Sequence, residues 1–182
     1  MTGLYRVFDA ATPPQTAPAG CQGVLGYIGG ARAARVWTLE EWQRFVHLVQ
    51  FPAWVPDPVT EVPAHSAQNA VAAAKALGWA PWMSPAKRAI ICDLETDVVR
   101  GWYAAFAAEV EQRGFTAVAY GSLSTVLENA AAAVWVAAWD GSAVLLPGQT
   151  VHAHQYQAGR LMDFSVVDDW LSARGGQGPR HA

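Results

Sequence analysis

Charge is what this sequence has least of. Asp, Glu, Lys and Arg together make up 15% of its 182 residues, and only two of the twelve basic residues are lysine. No cluster of Lys and Arg occurs that could displace counterions from a phosphate backbone. With a net charge of −3 and a pI near 5.9, nucleic acid is excluded as an expected partner. Cysteine is equally sparse: Cys21 and Cys92 are too few and too far apart for a disulfide scaffold or a thiolate metal site. No apolar run approaches the roughly 18 uncharged residues of a membrane-spanning helix, so no membrane insertion is expected. Phosphate-loop and Gly-x-Ser-x-Gly patterns are missing as well. His152 and His154 alternate on one segment without a third ligand at metal spacing. Neither a cofactor nor a metal is expected.

What is present is hydrophobic: 52% of the residues, an ordered globular composition in a chain long enough for one domain. Short apolar runs alternate with helical stripes, the pattern of a parallel α/β barrel whose strands are buried on both faces. The runs predict strands at 4–8, 24–28, 51–55, 88–92, 116–120, 133–137, 152–156 and around Leu161-Met162. Between them, Thr38 with Glu41 forms a capping-box pattern for a helix carrying Leu39, Trp42, Phe45, Val46 and Val49. Ser66 opens an Ala-rich helix ending at Gly78, and Asp97 caps a helix closed by Gly114. A short helical piece follows Ser124. A last helix is predicted from Ser165, through Val166, Val167, Trp170 and Leu171. The expected fold is thus a single irregular (β/α)8-type, TIM-like barrel whose last three strands lack full helices. It should occupy residues 1–174, with a flexible tail at 175–182.

In such barrels the chemistry gathers where strands end. Asp9, Asp93, Glu95, Tyr120, Trp139, Gln155, Tyr156 and Asp163 all fall at those edges. Asp93-Leu94-Glu95 is the sharpest feature. Residues two apart on a strand face the same side, and two neighbouring carboxyls cannot both ionise freely, so one is pushed toward the acid form. A carboxyl kept protonated beside a second one is what glycosidic bond cleavage uses. Trp54 and Trp139, near strand ends, could form a flat platform for sugar rings.

These residues, in this order, resemble the glycoside hydrolase family 25 lysozymes and, more closely, their glycoside-hydrolase-like relatives known as domain of unknown function 1906. The resemblance runs from Phe8-Asp9 to Trp170. It takes in Gly26-Tyr27-Ile28-Gly29-Gly30, Leu39-Glu40-Glu41-Trp42, Ile91-Cys92-Asp93-Leu94-Glu95, Tyr120-Gly121, Trp135-Val136-Ala137-Ala138-Trp139, His154-Gln155-Tyr156 and Met162-Asp163. The chain departs from the lysozymes at His154, usually aromatic there, and at Ser165, commonly Asn.

The resemblance implies a flattened barrel with Glu95 protonating the leaving oxygen. Asp93 would position the substrate's acetamido group or stabilise the oxocarbenium ion. Asp9, Asp163, Tyr120, Trp139, Gln155 and Tyr156 would line the groove. The implied substrate is the β-1,4 bond between N-acetylmuramic acid and N-acetylglucosamine in peptidoglycan. The alternative is a cell-wall-glycan-binding or phage virion module that keeps the barrel without the reaction. Met1 to Asp9 lacks a basic stretch followed by a long apolar one. The expectation is therefore a monomeric protein made in the cytoplasm without a signal peptide, reaching the wall by lysis or on a virion.

Overall fold

The computed structural model describes residues 3–80, 88–95, 99–129, 133–145 and 151–175. Asp97, the expected helix cap, and residues 176–182 of the expected tail lie outside them. The strands are β1 (Tyr5–Asp9), β2 (Gly23–Gly29), β3 (Val49–Trp54), β4 (Ala89–Asp93), β5 (Thr116–Ser122), β6 (Val134–Ala137), β7 (Val151–Gln157) and β8 (Asp163–Val167). They close into a barrel in sequence order. The helices are α1 (Leu39–Gln43), α2 (Pro63–Ala76), α3 (Trp102–Gln112), α4 (Leu123–Asn129) and α5 (Asp169–Ser172). Among the described residues no helix lies between β6 and β8, in keeping with the pattern of the last third of the chain.

Strand alternation sorts the core into two shells. Val7, Leu25, Phe51, Ile91, Val118, Trp135, Ala153 and Val167 share the cluster inside the barrel. Phe8, Val24, Ile90, Cys92 and Val136 belong instead to the outer cluster, with Ala70 of α2 and Phe106 of α3. Because successive side chains point to opposite faces, the sequence numbers alternate between the shells. Inside, Phe51 meets Trp135 edge-on at 5.5 Å, and the Trp135 indole donates to Ser165 Oγ at 3.1 Å. This plug separates the two ends of the barrel and floors the upper one.

Five expectations are corrected. The eighth strand is Asp163–Val167, and it runs antiparallel to both β1 and β7, so the ring is not wholly parallel. The apolar Val166 and Val167 read as helix from their spacing to Trp170 and Leu171, yet they complete the barrel closure. Asp168, not Ser165, caps the final helix, accepting from Leu171 N at 2.9 Å. The helix after Thr38 is one turn: its capping box forms, but Phe45 sits beyond its end and Val49 opens β3. Finally, α2 starts at Pro63 rather than Ser66, since proline's fixed φ and missing N–H suit the first helical position. The Ser66 hydroxyl is engaged elsewhere, by the Trp54 indole at 2.9 Å and by Glu61 at 3.2 Å. That contact buries Trp54, so it offers no platform to a sugar.

Candidate active site

Asp9, Asp93 and Tyr120 reach the upper mouth because each lies on an inward-facing position near the end of its strand. Asp93 ends β4 opposite Tyr120 of β5. Asp163 arrives by the opposite route. Since β8 is reversed, its first residue, not its last, lies at this end, paired with Asp9. The ladder between β4 and β5 continues one residue further through Leu94 N to Tyr120 O at 2.8 Å. Leu94 is fully buried in the outer shell and Glu95 emerges exposed at the rim, so the expected i, i+2 arrangement forms.

Gln155, wholly buried on β7, is the hub of this end. Its Oε1 accepts from the Tyr120 hydroxyl at 2.7 Å and from Trp139 Nε1 at 2.7 Å. Its Nε2 donates to Asp9 Oδ2 at 2.8 Å and to Asp163 Oδ2 at 3.3 Å. With both faces of the amide committed, Gln155 positions its neighbours. Trp139 is also held by its backbone N–H on Gln155 O at 3.1 Å, with φ at 44°, and the residue is 55% exposed. A bulky residue in the left-handed region is strained, and such strain gathers at functional sites. Tyr156 falls at the register shift between Gln155 and Gln157, buried and outside this network.

Burial dominates the electrostatics. It raises the Asp9 carboxyl to about 7, helped by the negative charges of Asp163 and Glu95 and opposed by the Gln155 amide. Asp93 is pushed well above the usual carboxylate range by burial and then by Glu95 and Asp9. Its Oδ1 has no hydrogen-bond partner among the described residues. Glu95 is raised by desolvation and by Asp163, while the Tyr120 hydroxyl works in the other direction. Glu95 and Asp93 thus hold their protons to higher pH than free carboxyls do.

Glu95 stands between two pockets. One, of about 160 Å³, is lined by Tyr27, Arg32, Arg35, Val55, Asp93 and Glu95 among others. The other, of about 260 Å³, is lined by Glu95, Ser122, Thr125, Ala137 and Trp139. Sequence reasoning missed Tyr27, Arg32, Arg35, Ser122 and Thr125. Only Tyr27 had a signal, the alternation from inward-facing Leu25. Of the Gly26-to-Gly30 run Tyr27 lines the first pocket, and the glycines pack tightly behind it. A Cβ on Gly26 would meet the Trp37 and Trp42 rings at 2.8 Å, and one on Gly30, at φ 115°, would meet Val55 O at 2.1 Å. Among the described residues no group of three or more His, Cys, Asp or Glu is placed to hold a metal ion. Nor is any helix among them long and apolar enough to cross a membrane.

The fold, an irregular α/β barrel, is shared with several solved structures. An uncharacterized B. stearothermophilus protein is similar over 94% of this chain and 100% of its own, at TM-score 0.75 and 16% identity. A muramidase from Acremonium alcalophilum is similar over 93% of this chain and 99% of its own, at TM-score 0.65 and 12% identity. The modular autolysin LytC from Streptococcus pneumoniae, solved with a synthetic peptidoglycan ligand, is similar over 90% of this chain, at TM-score 0.66 and 11% identity. This chain spans 46% of the LytC chain. The sequence matches no family model and no curated protein. At these identities the likeness is one of fold.

Proposed function

We propose that this protein is a glycoside hydrolase of the muramidase type, acting on the glycan strands of peptidoglycan at the cell wall. The observation that carries the reading is the place of Glu95: a carboxyl at the junction of two pockets, whose pKa partial burial raises above its ordinary value. A sugar on each side sets the linking oxygen beside that carboxyl. Glu95 then donates its proton to the leaving oxygen as the bond to the anomeric carbon breaks, and water adds to that carbon, its hydroxyl completing the new reducing end and its proton returning to Glu95. Positioned proton transfer of this kind contributes about 10²–10⁴-fold. Asp93 lines the pocket on its side, where a carboxyl whose pKa burial raises can hydrogen-bond an acetamido group. The fold shared with a muramidase and with a peptidoglycan-bound autolysin supports the same substrate class.

The test is release of reducing ends from purified peptidoglycan. The wild-type protein is expected to release them, and Glu95→Gln, which keeps the shape and removes the acid, is expected to fold normally and lose turnover. Equal release by both would overturn the reading. A binding module without turnover is the second reading, favoured by the exposed, strained Trp139. It expects saturable glycan binding, no reducing ends, and indifference to Glu95→Gln.

A further inference from the structure

Two arginines share the smaller pocket with the acid. Arg32 and Arg35 lie on the segment after β2, and both line the 160 Å³ cavity that Asp93 and Glu95 close. Guanidinium groups beside carboxyls ordinarily pair with them and lower their pKa. Here neither does so: no arginine is among the charges bearing on Asp93 or Glu95, and both carboxyls stay raised. Each guanidinium is fastened on another carboxylate instead. Arg32 Nη2 lies 2.8 Å from Asp57 Oδ1, and Arg35 Nη2 pairs with Glu41.

Both anchors are themselves fixed. The Arg32 backbone N–H donates to Val55 O at 3.1 Å, pinning the segment to the end of β3. Glu41 is the capping-box residue of α1, with Oε2 accepting from Thr38 N at 2.8 Å and Oε1 shared between Arg35 and Arg44 Nη2, the latter 3.6 Å away. A guanidinium has five N–H donors, so one carboxylate contact leaves most of its fork unused. The two side chains remain 37% and 40% exposed. The pocket therefore presents two oriented cations, held by Asp57 and Glu41, that do not pair with Asp93 or Glu95.

We propose that this pocket receives the acidic sugar of the strand, with Arg32 and Arg35 binding a carboxylate on the substituent of N-acetylmuramic acid. The assignment rests on the peptidoglycan reading above and deepens it by naming which sugar lies on which side of Glu95. The carboxylate has two sources, the lactyl group itself in strands without stem peptide, or the peptide where one is attached. A preformed arginine pair recognises either by charge-assisted hydrogen bonds, which are stronger than neutral ones.

The test compares three glycans: peptide-free strands, the same strands with the lactyl carboxyl reduced to the alcohol, and strands bearing stem peptides. Wild-type kcat/KM is expected to be about ten-fold higher on one or both of the acidic substrates than on the reduced one. In Arg32→Gln/Arg35→Gln that ratio is expected to fall to about one. Which acidic substrate is favoured identifies the source. A wild-type ratio of one, or a ratio unchanged by the double substitution, overturns the proposal. The wild-type comparison needs no variant, so misfolding of the double variant leaves it decisive. Affinities of Glu95→Gln for the same glycans are measured alongside. Binding with the expected preference but no wild-type cleavage upholds the arginine assignment while overturning the enzymatic reading. Absence of both binding and cleavage overturns the two together.

Discussion

One amide nitrogen of Gln155 serves two carboxylates from distant parts of the chain, Asp9 Oδ2 at 2.8 Å and Asp163 Oδ2 at 3.3 Å. The carbonyl end of the same side chain takes Tyr120 and Trp139. Replacing it with Ala would strip four polar groups of their partner, two of them in the deeply buried Asp9 and Tyr120. Gln155→Ala is expected to lower unfolding free energy by about 2–4 kcal/mol in urea denaturation. It should also reduce turnover through misplaced neighbours, with kcat falling more than affinity.

Asp163 is one of the charges that raise Glu95. Removing that charge lets Glu95 ionise at lower pH. A general acid works only while protonated, so the basic limb of the kcat/KM profile of Asp163→Asn is expected to move to lower pH than in the wild type. A limb that stays in place would show that the acid is another group.

Asp9 has its folded pKa raised from 3.8 to about 7. A raised pKa means the folded state holds the proton more tightly, so this contribution to stability is complete below about pH 4 and is lost as pH rises through about 7. Asp9→Asn keeps the polar shape and cannot ionise. Its stability relative to wild type is expected to grow by a few kcal/mol between pH 4 and pH 8, read as diverging melting temperatures.

Trp139 combines positive φ with exposure to solvent. Trp139→Ala and Trp139→Gly should both weaken glycan affinity by about ten-fold, since both lose the ring. The Gly variant should be the more stable by about 1 kcal/mol, because glycine adopts φ 44° without strain. Calorimetric affinity together with thermal melting checks both halves.

Much of the barrel is legible in the sequence because burial on both faces leaves a local record. Ile90-Ile91-Cys92 reads as a strand from its apolar run alone, and Asp93 and Glu95 then face one way by the period of two. Val166-Val167 shows where that record fails. Two apolar residues fit a strand end and a helix stripe equally, and only closure against β1 and β7 chooses between them. Asp163 therefore lies at the end of the barrel that the pattern predicts, but by another route: it begins a reversed strand instead of following a parallel one. Arg32 and Arg35 left no signal, since isolated exposed arginines are the rule on any surface.

By itself, the order of apolar runs, glycines and acidic residues determined a barrel with carboxyls at one end, because alternation and turn chemistry act between near neighbours along the chain. Tertiary structure alone decided the direction of the last strand, the four-way engagement of Gln155 and the two arginines beside Glu95. These depend on contacts between residues up to 162 positions apart, from Tyr5 to Val167, which no local pattern encodes.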